Sequence, residues 1–358
     1  MCDFNNLPAK ERLMYQELWK EKDYLEHLLK CKIEAKKSGN QPKSFHFKGT
    51  MDALDALKYV FEIQNETIFD MKYRMATGGD GDEGRKIRTM HSSSLCALLF
   101  FYNVTREHPL TLDLDGRVIK FTRSAFEFKS PVIRNASNMD VVLFGKEKNT
   151  KKTVIFLLES KFSEHYMSSD SKLNGISSSY IKNPYSSPFY KKKFLSRLSL
   201  KTEPKDIEDI KDIKDIKEFN LLIDTEDKEV STDNQYYIGG IKQMISHYVG
   251  MRNLEQNNFY GGKKSGCHLC MEEAIEEGAD IILGEILFGD DVEAMKPATE
   301  RYSEKYKLLA EKMNQVLAAE GRTRLHVLKE DLSYSKLFKD KSYSVEEEIW
   351  KYYFGRGM

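Results

Sequence analysis

Hydrophobic and polar positions change their rhythm twice along the chain. Residues 8–37 are a dense mixture of Glu, Lys and Leu that runs out near Ser38-Gly39, which predicts a long helix with a glycine stop. Over 51–74, Leu54, Leu57, Val60, Phe61 and Ile68 form a stripe at helical spacing and predict a second helix. The run TGGDGDEG (77–84) then reads as a linker. Its glycines are not a phosphate cradle, because no GK[ST] follows and its acids would repel phosphate.

Beyond the linker, short apolar runs alternate with longer helical patterns. An apolar helix is predicted over 92–102 and a short strand over 117–121, preceded by the turn DLDG. Strands over 139–144 and 154–161 are joined by the polar turn GKEKNTKK and form a hairpin. A helix over 236–249, an apolar strand over 279–288 interrupted by Glu285, a helix over 298–319 ending at Gly321, and a strand over 324–328 complete the pattern. The expected fold class is α/β, a mixed central sheet flanked by helices. The expected division is an N-terminal helical region over 1–85 and a sheet domain over 86–358, with an insertion over about 163–233.

The insertion changes the charge picture. Lysines and arginines balance aspartates and glutamates at 56 each, so the formal net charge is zero. The balance conceals segregation. From 171 to 202 there are seven basic residues and no acid, whereas 203–229 holds eleven acids and five lysines. Local patches, not the sum, set the field that a polyanion meets. Within the basic stretch, Lys191, Lys192, Lys193 and Arg197 are interleaved with aromatics including Tyr190, so cations for phosphates lie beside rings for bases. The near-repeat DIEDIKDIKDIKEF (206–219) places isoleucine at every third position, a weakly amphipathic helix or a charged linker.

Composition excludes some classes. Hydrophobic residues make up 40% and charged residues 31% of the chain, as in folded globular proteins. No apolar run approaches the ~20 residues of a membrane span, and the N-terminus lacks the apolar segment of a secretion signal. A cytoplasmic protein is expected, with no membrane partner and with room for an oligomer. The five cysteines are an odd, sparse set, which suits free thiols. Cys267 and Cys270 in CHLC supply two ligands where a structural zinc needs four.

Candidate chemistry gathers at the hairpin. In VIFLLESKF (154–162) a carboxylate and an ammonium follow an apolar run, and burying either unpaired is expensive. Alternation puts Glu159 and Lys161 on one face at the strand's end, and antiparallel pairing brings Asp140 at the start of the preceding strand beside them. Two carboxylates so close repel unless a cation lies between them. Oxygen ligands with an open coordination sphere suit magnesium, with the Ser160 backbone carbonyl as a further ligand. Lys161 would then serve the attacking water and the transition state.

Asp140, an eighteen-residue gap and Glu159-Ser160-Lys161 resemble the PD-(D/E)xK motif of the restriction-endonuclease-like nuclease superfamily, with Met139 where the motif's proline would stand. The element order over about 88–330 is similar to that superfamily's common core. GGIKQMISHYVG (239–250) resembles the glutamine-tyrosine motif of the RecB-like branch, which maps onto Gln243 with either His247 or Tyr248. Gln243 and His247, four apart, share a helix face, whereas Tyr248 is turned about 100° further. The resemblance implies hydrolysis of phosphodiester bonds with Mg2+ or Mn2+, DNA being the expected polymer. It makes Asp140 and Glu159 metal ligands, Lys161 the catalytic lysine and Gln243 a supporting residue. Glu127 and His91 are further candidates, the first as a third ligand, the second from the RecB-like use of a histidine there. The competing reading is a catalytically silent module of the same fold that binds nucleic acid or a protein partner.

Overall fold

A computed structural model describes residues 9, 33–36, 44–47, 53–78, 87, 92–132, 136–167, 176–177, 200–204, 218–223, 238–256, 266–339 and 343–354. The first described strand is β1 (Ile33–Lys36), paired antiparallel with β2 (Ser44–Phe47). This corrects the expected helix over 8–37 at its C-terminal end: Glu/Lys/Leu composition is a weak prior, and a strand partner ten residues on overrides it. The helix expected over 51–74 is two helices, α1 (Ala53–Val60) and α2 (Glu66–Thr77). The break is local chemistry, since the Asn65 side chain caps α2 by accepting from the Ile68 N–H.

Next come α3 (Ser93–Phe101), capped by the Ser92 hydroxyl, and four consecutive antiparallel strands: β3 (Leu110–Leu114), β4 (Arg117–Pro131), β5 (Ala136–Glu147) and β6 (Thr153–Lys161). β3 was not anticipated, although DLDG forms its hairpin turn, with Asp115 and Gly116 both at positive φ (53° and 82°). β4 is far longer than the expected 117–121, so Glu127 lies inside a strand. After the short α4 (Glu164–Met167), the described part of the expected insertion forms a separate three-stranded sheet of β7 (Ile176–Ser177), β8 (Leu200–Pro204) and β9 (Glu218–Ile223). Glu218 and Phe219 of the isoleucine repeat therefore belong to a strand, not a helix or linker.

The chain then runs through α5 (Ile238–Glu255), α6 (Gly266–Glu276), β10 (Asp280–Leu287), α7 (Lys296–Ala319), β11 (Leu325–Val327), β12 (Leu332–Ser333), α8 (Tyr334–Lys339) and α9 (Glu347–Phe354). Pro297 stands at the first turn of α7 and Gly321, at φ 68°, just past its end. The main sheet has seven strands in the order β11-β10-β6-β5-β4-β3, with β12 also pairing β10. β10 is parallel to β6, β11 and β12, so the sheet is mixed, as expected.

Helices cover both faces. Phe156, Leu158, Val141 and Leu143 pack with α1, α2, α3 and the C-terminal aromatics Tyr334, Tyr353 and Phe354. Ile155, Leu157, Val142, Ile281 and Leu283 pack with α5, α6 and α7. Gly250 of α5 lies so close to β4 that a Cβ there would meet Ser130 Oγ at 2.2 Å, which ties α5 to the sheet. Among the described residues no helix is long and apolar enough to cross a membrane.

Candidate active site

The ends of β5 and β6 bring the hairpin's charges together. The β5–β6 pairing ends at Val141 and Leu158, with Asp140 and Glu159 the next residues beyond it. On the other side of β5, Phe126 pairs with Val141 and Phe128 with Met139, so Glu127 flanks Asp140. On the other side of β6, Glu285 of β10 is the direct register partner of Glu159. Four carboxylates, Glu127, Asp140, Glu159 and Glu285, therefore lie at neighbouring positions on four adjacent strands. Glu127 holds φ at 48°, a left-handed backbone that side chains rarely adopt and that costs about 1–3 kcal/mol.

Each charge has named partners. Lys161 Nζ lies 2.5 Å from Glu159 Oε1 and donates to Gln243 Oε1 at 2.7 Å. His247 Nε2 is 2.9 Å from Glu159 Oε2, and its Nδ1 is 2.7 Å from the Ser137 hydroxyl. The expected pair of Gln243 with a second α5 residue thus falls on His247. Tyr248 faces away, with its hydroxyl against the Met313 carbonyl and the Arg252 guanidinium. Asp140 Oδ2 accepts from the Ser160 backbone N–H at 2.8 Å. The Ser94 hydroxyl, at the start of α3, is 3.4 Å from both Asp140 Oδ1 and Glu127 Oε1 and so spans two carboxylates. The Ser160 hydroxyl donates to the Ser93 carbonyl or the Tyr334 hydroxyl, anchoring the strand end to the opposite helical layer.

The electrostatics separate the two carboxylates. Burial alone would push Glu159 up, but Lys161 and His247 outweigh it and hold the carboxyl down at about 2. Asp140 goes the other way, well above the usual carboxylate range, through burial first and then repulsion from Glu159 and Glu127. Glu285, wholly buried, is pushed up to about 8 by burial.

Carboxylate oxygens, as on Asp140 and Glu159, are the donor type that a hard divalent cation takes, and a cation between them would relieve the repulsion that, after burial, raises Asp140. Among the described residues no group of three or more His, Cys, Asp or Glu side chains is placed to hold a metal ion. Two carboxylates suit magnesium, which keeps several waters and takes one or two carboxylate ligands. Cys267 is buried and Cys270 half-buried on α6, with Arg123 Nη1 2.6 Å from Cys270 Sγ.

His91, and Tyr190, Lys191, Lys192, Lys193 and Arg197 of the basic stretch, lie outside the described residues. Sequence reasoning named His247 as one of two possible companions of Gln243 and assigned no role to Ser94 or Glu285. Glu285 had a visible signal, a lone acid in a strand otherwise without charge from 281 to 287. Ser94 had none, since hydroxyls before an apolar helix read as caps.

No protein-family model, curated protein or solved structure matches this chain.

Proposed function

We propose that the chain is a Mg2+- or Mn2+-dependent nuclease of the PD-(D/E)xK type, hydrolysing phosphodiester bonds, with DNA as its polymer. The observation that carries this reading is the convergence of Asp140 and Glu159 at the open end of a hairpin, with the Lys161 ammonium between Glu159 and Gln243. The run of α3, the antiparallel strands β3–β6, α5, α6 and then β10 parallel to β6 supports a restriction-endonuclease-like core.

In this reading Asp140, Glu159 and the Ser160 backbone carbonyl would hold the cation. When bound, the cation supplies Lewis-acid activation of water and neutralises charge on the scissile phosphate. The Ser160 N–H fixes the Asp140 carboxylate against the end of β6. Lys161 donates to the attacking water and to the developing charge on the phosphoryl oxygens. Gln243 and His247 orient Lys161 and Glu159 from α5. The leaving 3′ oxygen departs in line with the attacking water.

Incubating plasmid and single-stranded DNA with Mg2+ or Mn2+ tests the proposal. Cleavage that needs the metal and is lost in Lys161→Ala and Asp140→Asn supports it. Cleavage surviving both substitutions overturns the mechanism. A second reading, a catalytically silent module, draws on burial: Glu159 and Lys161 are only 3% and 2% exposed and are paired with each other. DNA binding without cleavage of any polymer would favour that reading.

A further inference from the structure

Glu285 is the polar residue that the proposed mechanism leaves unused. It lies in the apolar strand β10 and is wholly buried. The parallel register sets it beside Glu159 and sets Leu287 beside Lys161. Register partners point to the same face, and alternation puts Lys161 on that face too. Tyr302 of α7 donates to Glu285 Oε2 at 2.7 Å. Oε1 is buried with no hydrogen-bond partner. Among neighbouring charges, Lys161 acts most strongly on this carboxyl, ahead of Glu159 and Asp331. A buried acceptor left without a partner is destabilising. A strand that keeps such an acceptor beside an ammonium points to a second arrangement in which the two meet.

We propose that Glu285 is a positioning residue that receives the Lys161 ammonium when Glu159 gives its oxygens to a divalent cation. The inference rests on the reading of Glu159 as a metal ligand. Both Glu159 oxygens are engaged here, one by Lys161 and the other by His247. A dication at Oε1 and an ammonium 2.5 Å from the same atom repel, so Lys161 must move. Gln243 continues to hold Nζ from the α5 side. On the β10 side the acceptor is Glu285 Oε1, which Tyr302 steadies through the other oxygen. Without it the displaced ammonium is left buried beside a neutral amide alone, and cation binding at Glu159 is resisted.

The test is calorimetric titration of the full chain with Mn2+ alone, for wild type, Glu285→Leu and Glu285→Gln, alongside thermal unfolding of each metal-free protein. Glu285→Leu should weaken Mn2+ binding by about tenfold or more, the range for partners that support metal ligands. Its metal-free unfolding temperature should not fall, because a buried carboxyl with one oxygen unpartnered has been replaced by an apolar side chain. Glu285→Gln keeps a carbonyl acceptor and should bind Mn2+ within about threefold of wild type. Should Glu285→Leu not fold, Glu285→Met makes the same measurement. Unchanged Mn2+ affinity in the apolar variant overturns the inference and leaves the Glu159 reading standing. Absence of Mn2+ binding by wild type overturns both.

Discussion

The Asp140 carboxylate accepts a hydrogen bond from the Ser160 backbone N–H at 2.8 Å, cross-linking the start of β5 to the end of β6 at the point where the candidate ligands meet. The same carboxylate is repelled by Glu159 and Glu127. Its hydrogen-bonding role and its charge therefore act on stability in opposite directions, and substitution separates them. Asp140→Asn keeps an acceptor and removes the repulsion; stability should equal or exceed wild type by up to about 1 kcal/mol. Asp140→Ala strands the Ser160 N–H and should cost about 1–3 kcal/mol. Urea unfolding checks both, and DNA cleavage should be lost in both.

Lys161→Ala leaves Glu159 buried with His247 as its remaining close partner. Removing one member of a buried pair costs about 3–5 kcal/mol, so a large fall in the urea midpoint is expected. The double variant Lys161→Ala, Glu159→Ala should recover part of that loss, a coupling readable in a double-mutant cycle. Cleavage by the single variant should drop by about 10²–10⁴-fold where the lysine serves the water.

Stability should depend on pH in two windows of opposite sign. Glu285 is raised from 4.5 to about 8, so the folded state binds the extra proton between those values, and stability falls as pH rises through the window. The slope from one such group is at most about 1.4 kcal/mol per pH unit. Asp140, also raised, adds in the same direction. Glu159 is lowered from 4.5 to about 2, so its contribution is complete above 4.5 and is lost as pH falls toward 2. Glu285→Gln should flatten the upper window and spare the lower one, as followed by denaturant midpoints from pH 3 to about 8.5.

Gly250 of α5 packs close against β4, with Ser130 Oγ 2.2 Å and Ser130 Cβ 2.8 Å from any added Cβ. Gly250→Val should destabilise the fold by about 1–3 kcal/mol through overpacking. The same push lifts α5, and with it Gln243 and His247, away from Lys161 and Glu159. Cleavage should fall more than the loss of folded protein explains, as measured on the soluble fraction at a temperature below its unfolding transition.

Much of the architecture was legible because it is local. The β5–β6 hairpin follows from two apolar runs and a short polar turn, and its register carries Asp140 toward Glu159 and Lys161. The DLDG turn was read without its first strand, because the five residues of β3 are too few for alternation to stand out. The long helix expected over 51–74 was divided by one capping side chain, Asn65, that periodicity does not weigh.

By itself the sequence determined the alternation of apolar and charged positions, hence the hairpin and the chemical types at its open end. It also determined that α5 would carry Gln243 and His247 on a common face. Only the tertiary structure decided that β10, more than a hundred residues beyond β6, pairs with it in parallel and sets Glu285 against Glu159. It decided too that α3 brings Ser94 over Asp140 and Glu127 from another layer. A hairpin's register is fixed by its turn and by which face is buried. A parallel crossover has no such turn, and its register depends on how the intervening helices fill the space against the sheet.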